Sequence, residues 1–289
     1  RALVAQQQRR LAPCPPQHDG GAGALGAGPV RVARATPGDR AQADGTVLAV
    51  TPASAGWEHV GFRVVKLDDG QSYSGGEPGR EACLVLVAGS ADIMAGDSRF
   101  EGLGGRASPF EDRAPGAVYV PAGVAYTVTA RGAVELAVCT APGTGEGEVR
   151  AIDAARMSRE TRGGGTNTRF VRNILPEGEP AQSLLVVEVI TPGGHWSSYP
   201  PHKHDTATAG EETLLEETYY HRLQPPQGFA FQRVYTDDRS IDQAVAVEDG
   251  DVVMVPRGYH PVGAPHGYDL YYLNVMAGPE RRWIFRNDP

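Results

Sequence analysis

The chain has 289 residues, 40% of them hydrophobic, enough for one large or two ordinary packed domains. Its net charge of −8 at pH 7 argues against the basic face that a nucleic-acid partner requires, and no apolar run approaches the roughly 18 residues of a membrane helix. Cys14, Cys83 and Cys139 are scattered, with no Cys-x-x-Cys spacing, and read as free thiols of a cytoplasmic protein; Arg1 opens no basic-then-apolar leader pattern.

Residues 1–44 read as a flexible N-terminal arm, with Gln6-Gln7-Gln8 and the Gly/Ala run from Gly20 to Gly26, or else as an arm that packs on another subunit. From Thr46 onward short strand-like runs recur: 46–50, 62–65, 82–87, 91–95, 117–120, 126–129 and 134–139. Turn signals such as Asp69-Gly70, Ala88-Gly89-Ser90 and Pro121-Ala122-Gly123 separate them. This rhythm predicts an all-β sandwich or barrel over 45–148, and its partial alternation predicts strands covered on both faces. Cys83 and Cys139 fall in these apolar runs as inert core. Gly143 to Glu148 marks a boundary, residues 149–168 a linker with a short helix at 152–159 and a flexible joint at Gly163-Gly164-Gly165, and the β pattern restarts over 169–289. The halves repeat one another. Arg80-Glu81 aligns with Glu216-Glu217, and Val120-Pro121-Ala122-Gly123 with Val255-Pro256-Arg257-Gly258. The first copy has no His-x-His before it and no His after Gly123, so it is expected to hold no metal and to serve packing, dimerisation or a lid.

The second copy carries the chemistry. His202 and His204 are two apart, so on a strand both imidazoles point to one face. Glu217 opens the next apolar run, after the insertion 206–213, and His260 follows Val255-Pro256-Arg257-Gly258. Three imidazoles and a carboxylate suit zinc, iron, manganese, nickel or cobalt, and ligand type alone does not choose among them. Strand parity puts Tyr219 and His221 on the face of Glu217.

A His-x-His, a later Glu, then Gly250-x5-Pro256-x-Gly258 and His260 resembles the cupin pattern. The gap from His204 to Glu217 is longer than that pattern allows, which leaves Glu216 as a rival ligand, and a single residue separates Gly258 from His260. The stretches 197–205, 226–235, 255–262 and 268–278, with Gly61-Phe62 and Gly79-Arg80-Glu81, resemble the bacterial 5-deoxyglucuronate isomerases of inositol catabolism. That resemblance covers roughly 45–289. It implies two tandem cupin-like barrels, a bicupin, and conversion of 5-deoxy-D-glucuronate to 2-deoxy-5-keto-D-gluconate. The related uronate isomerases of pectin breakdown imply zinc on His202, His204, Glu217 and His260.

An aldose–ketose isomerisation needs an electrophile, a proton-carrying base and an anchor for the substrate carboxylate. The metal supplies the first. His221, whose ordinary pKa suits proton transfer, or Tyr219 is the candidate for the second. Arg233, flanked by aromatic residues in Phe231-Gln232-Arg233-Val234-Tyr235, is the candidate anchor, with Tyr235, Tyr272 and Asn274 as pocket residues. Lys203 should point away from the ligand face, and Arg257 fixes a turn. His59, His195 and His266 lie outside the motif. An iron-dependent dioxygenase and a non-catalytic sugar-binding cupin are the rival readings. The expected partner is a small uronate substrate, and the expected assembly a homo-oligomer.

Overall fold

The computed structural model describes residues 29–35, 42–157 and 159–289, so most of the expected arm, with Cys14, lies outside the described residues. The chain is almost all β. Among the described residues the only helices are the four-residue Pro52–Ala55, N-capped by Thr51, and a 3-10 turn at Gly165–Asn167. In place of the expected helix at 152–159, residues 152–157 form loop and turn and Arg159 opens a strand; the expected joint at 163–165 is a bend that leads into the 3-10 turn.

One sheet forms the N-terminal unit. Its strands run Thr46–Val50, Gly61–Leu67, Tyr126–Pro142, Arg80–Ala95, Gly116–Val120 and Arg150–Ala151, with Ser72–Gly75 and Ser98–Arg106 paired beside them. Four of the short runs expected from sequence are halves of two long strands, Arg80–Ala95 and Tyr126–Pro142, which pair along their length. The Ala88-Gly89-Ser90 turn signal is instead a pair of register shifts at Leu86/Ala88 and Ala88/Ser90. Gly89 has φ +89°, and a Cβ there would lie 2.3 Å from the Ala133 carbonyl oxygen, so only glycine lets the bulge bend the strand onto its partner.

The C-terminal unit has a seven-stranded sheet ordered Arg31–Ala33, Val252–Val255, Glu216–Gln224, Asp269–Ala277, Leu185–Thr191, Arg169–Leu175 and Arg159–Arg162. A four-stranded sheet of Trp196–Ser197, Val262–Gly263, Ala230–Tyr235 and Asp242–Val247 completes it, and His202–Lys203 pairs with Arg286–Asn287. Two expected boundaries shift. Arg31–Ala33, assigned to the arm, is an edge strand of this sheet, pairing Arg31 with Met254 in the same chain. The expected linker 149–168 supplies a strand to each unit, Arg150–Ala151 to the first and Arg159–Arg162 to the second.

Strand parity divides the apolar residues among three cores. Ala82, Leu84 and Leu86 fill the N-terminal barrel, while Cys83, Val85 and Val87 face the other unit. Likewise Tyr219 and Tyr272 point into the C-terminal barrel, and Tyr220 and Tyr271 point into the shared core between barrels. Covering both faces explains why these strands read as near-continuous apolar runs.

The repeat is visible in the pairing. Glu81 pairs with Ala141 and Ala82 with Val120; Glu216 pairs with Ala277 and Glu217 with Val255. Glu81 is therefore the counterpart of Glu216, one residue off the alignment expected from sequence, and Ala82 occupies the place of Glu217. The two glutamates act reciprocally. Glu81 accepts from the backbone N–H groups of Gln182, Ser183 and Leu184 at 2.6–2.9 Å, and Glu216 from those of Glu58, His59 and Val60 at 2.8–2.9 Å. Each barrel thus grips a loop of the other.

Candidate metal centre and cavity

His202 sits on the short strand paired with Arg286–Asn287, His204 just beyond it, Glu217 on the sheet strand Glu216–Gln224, and His260 in the loop after Val252–Val255. The structure brings all four together. One ring nitrogen from each histidine lies within 4.8 Å of the other two. Oε2 of Glu217 is 3.1 Å from Nε2 of His204 and 3.1 Å from Nε2 of His260. Its Oε1 accepts from the Asn274 amide at 2.7 Å.

The surrounding hydrogen bonds fix which atoms face inward. Nδ1 of His204 donates to the Leu215 carbonyl at 3.1 Å, and Nδ1 of His260 to the Gly258 carbonyl at 2.8 Å. With Nδ1 carrying the proton, each neutral ring presents a bare Nε2 lone pair to a carboxylate oxygen. Acceptors facing acceptors in a dry site repel unless a cation or a proton lies between them, and buried Nε2 of His260 has no hydrogen-bond partner. The donor set therefore fits a divalent cation. Titration preferences reflect the same convergence. Burial, then His260 and His204, hold the His202 imidazole well below its ordinary range. Burial works against charge on His204 and Glu217 as well, but contacts outweigh it: Glu217 raises His204, and His260 first, then His204, depress Glu217.

Glu216 is excluded from this cluster, because the backbone of residues 58–60 occupies both its oxygens. Lys203 does point to the opposite face. There it pairs with Asp205 at 2.8 Å, whose other oxygen accepts from Gly258 N at 2.8 Å. Asp205 thus ties the His-x-His segment to the loop that carries His260, and Glu212 of the insertion accepts from Asp205 N at 2.7 Å.

A cavity of about 240 Å³ opens onto His202 and Glu217. Tyr219, Tyr272 and Asn274 line it, as do Ser198, Arg162 and Arg169, which the sequence reading passed over. The Ser198 hydroxyl lies 3.0 Å from the Tyr219 hydroxyl and 3.4 Å from that of Tyr272. Ser198 holds this position at φ +48°, a left-handed conformation that costs a non-glycine residue about 1–3 kcal/mol. Burial pushes both phenols up, so they carry their protons at neutral pH. Trp283, Phe285 and Asn287, from the last segment of the chain, close the cavity wall, with the Phe285 ring 4.7 Å from that of His202.

Three expected site residues are not brought to the cavity. His221 is fully buried behind Tyr219, its ring stacked at 5.9 Å, and its Nε2 bonds Oε1 of Gln232 at 3.2 Å. Burial pushes its imidazole down to about 4, and it does not line the cavity. Arg233 lies on the outer face of its strand, because parity sends Gln232 inward; it forms a bidentate pair with Asp242 at 2.8–2.9 Å. Tyr235 lies under Arg233, 4.6 Å from its guanidinium, and donates to Asp288 at 2.6 Å.

Comparison with known proteins agrees with this architecture. A model of the KduI/IolB family matches residues 35–289. A 5-deoxy-glucuronate isomerase of Geobacillus thermodenitrificans (strain NG80-2) is 56% identical over 246 residues, 85% of this chain and 90% of the relative. The 5-deoxy-glucuronate isomerase of Bacillus subtilis (strain 168) is 49% identical over 244 residues, 84% and 90% of the two chains. The crystal structure of an IolB-like protein from Salmonella typhimurium LT2 superposes with a TM-score of 0.86 at 53% identity, covering 89% of this chain and 96% of that one. A Bacillus subtilis oxalate decarboxylase, at 12% identity and a TM-score of 0.56 over 83% and 74% of the chains, shares the fold alone.

Proposed function

This chain belongs to the KduI/IolB family, and from that premise we propose that it isomerises 5-deoxy-D-glucuronate to 2-deoxy-5-keto-D-gluconate in inositol catabolism. The observation that carries the reading is the convergence of His202, His204, Glu217 and His260 beside a cavity that His202 and Glu217 line together with Tyr219, Ser198 and Tyr272. In the reaction the hydrogen on C2 moves to C1, and one proton passes from the C2 oxygen to the C1 oxygen. The aldehyde becomes a hydroxymethyl group and the C2 hydroxyl a ketone, with no net redox change. His202, His204, Glu217 and His260 would hold the divalent cation, zinc in our reading; when bound, it supplies Lewis-acid polarisation of the two oxygens that exchange the proton.

The chain's own residues account for the rest. Tyr219 and Tyr272, neutral and joined through Ser198, form a row of hydroxyls able to donate to one substrate oxygen while accepting from its neighbour. Asn274 orients Glu217. Trp283 and Phe285 limit water at the reacting carbons. Purified metal-loaded protein incubated with the substrate in deuterated water tests the proposal. The expected product is the ketose with deuterium at the former aldehyde carbon, and chelation should stop turnover. Absence of any ketose would overturn the reading.

A further inference from the structure

The cavity holds a pair of like charges that the reaction centre does not explain. Arg162 and Arg169 stand directly opposite one another on the antiparallel strands Arg159–Arg162 and Arg169–Leu175, and both line the cavity. Two cations in a directly opposed cross-strand pair are destabilising unless something neutralises them. Arg162 has its counter-charge, since Glu160 sits 2.8 Å from its guanidinium and is held there by the Asn173 amide at 2.7 Å. Arg169 has none. Its Nη1 donates to the Asn167 carbonyl at 3.2 Å, and among the described residues no carboxylate lies within salt-bridge distance of this half-buried side chain.

The turn before it is shaped to seat that guanidinium. Gly163 has φ +77°, and a Cβ there would stand 2.8 Å from Nη1 of Arg169 and 2.2 Å from the Asn167 carbonyl oxygen. A side chain there would strike the Asn167 carbonyl to which the arginine donates and crowd the guanidinium. A planar guanidinium with unused donors, facing a cavity lined by His202 and Glu217 of the histidine–glutamate cluster, is matched to a carboxylate.

We infer that Arg169, flanked by Arg162, binds the carboxylate of the substrate and makes this site select a sugar acid over the corresponding neutral aldose. This rests on the isomerase reading and replaces Arg233, which the fold places on the outer surface. The substrate's far end is then held by Arg169 while its aldehyde end lies against His202, Glu217 and Tyr219.

The test compares wild type with Arg169→Ala, Arg169→Lys, Arg162→Ala and Arg233→Ala. Kinetics are measured on 5-deoxy-D-glucuronate. Calorimetry follows binding of two unreactive ligands: the same acid with its aldehyde reduced to an alcohol, and the neutral polyol in which a hydroxymethyl group also replaces the carboxylate. For Arg169→Ala we expect KM and the Kd of the reduced acid to rise on the order of 10- to 100-fold, with the Kd of the neutral polyol and the bound metal content unchanged. Arg169→Lys, which keeps the charge and loses the fork, should fall between, and guards against a misfolded alanine variant. Arg233→Ala should match wild type. The inference is overturned if Arg169→Ala leaves acid binding intact, weakens acid and polyol alike, or has less effect than Arg162→Ala. If wild type forms no ketose, the isomerase reading fails on the kinetic arm, while calorimetry still decides whether Arg169 recognises a carboxylate.

Discussion

Oε2 of Glu217 faces two imidazole nitrogens and Oε1 takes the Asn274 amide, so neither oxygen is spare and the carboxylate's orientation depends on a neighbour. Replacing Asn274 with Leu removes that support and leaves Oε1 unpaired in a buried site. We expect cation affinity to fall by about 10- to 100-fold, the range for outer-shell partners of metal ligands, read by competition against a chromogenic chelator. Unaltered retention would show that Glu217 is held by other means. A second prediction separates the cavity hydroxyls from the histidine behind them. Tyr219→Phe deletes a cavity hydroxyl that the proposed reaction uses and should lower kcat by about 10²–10⁴ with little change in KM. His221→Gln, with no access to the cavity, should lower it far less; the opposite ranking would restore His221 as the proton carrier. Ser198 belongs to the same argument, since its strained backbone makes sense only if the hydroxyl between the two phenols is needed there.

At the scale of the strand, Glu216 and Glu217 are adjacent and point opposite ways, one into the neighbouring barrel's loop and the other into the cavity. Glu216→Gln puts an amide donor against backbone donors at residues 58–60. It should cost about 3 kcal/mol, which for a chain of this size lowers Tm by about 6–12 °C, while bound metal stays at the wild-type ratio. Loss of metal instead would return Glu216 to the ligand set. Period-two reasoning on the sequence reached as far as a motif of short range allows. Spacing marks His202 and His204, the resemblance adds Glu217 and His260 while the long gap keeps Glu216 as a rival, and parity placed Tyr219 beside them. It failed where the outcome depends on which face is covered. Gln232 turns inward and Arg233 outward, a choice fixed by how the four-stranded sheet lies and not by local composition. Arg169 was invisible for a different reason. It precedes the His-x-His by more than thirty residues, and only the pairing of its strand with Leu185–Thr191 carries it to the cavity. Local turn signals also misled at Ala88-Gly89-Ser90, where glycine serves a bulge within one long strand instead of ending it.

Across the whole molecule the two barrels share a core. The cluster containing Phe62, Val85 and Cys139 from the first unit also contains Tyr220, Tyr271 and Val275 from the second, and the ring centroids of Phe62 and Tyr220 are 5.7 Å apart. Polar contacts cross the same boundary. Arg106 makes a buried bidentate contact with Glu188 at 2.8–3.0 Å, and Glu81 and Glu216 exchange their grips. A unit taken alone would expose one whole apolar sheet face and strand a buried carboxylate against no donors, so neither half should hold its fold independently. Calorimetry of the metal-free chain is therefore expected to show one transition, with calorimetric and van't Hoff enthalpies equal, despite two barrels of separate interior packing. Arg106→Met tests the coupling, because it leaves Glu188 buried with Arg172 and the Tyr271 hydroxyl as its remaining partners. Stranding a buried charge outright costs about 3–5 kcal/mol; with Arg172 still on Glu188 the loss should be smaller, so Tm should fall while the transition stays single. Two resolved transitions in the wild-type chain would mean that the barrels are merely tethered. The barrel with the histidine cluster would then owe none of its shape to the other, and the first copy of the repeat would have to be explained by something other than the surface it gives the second to fold against.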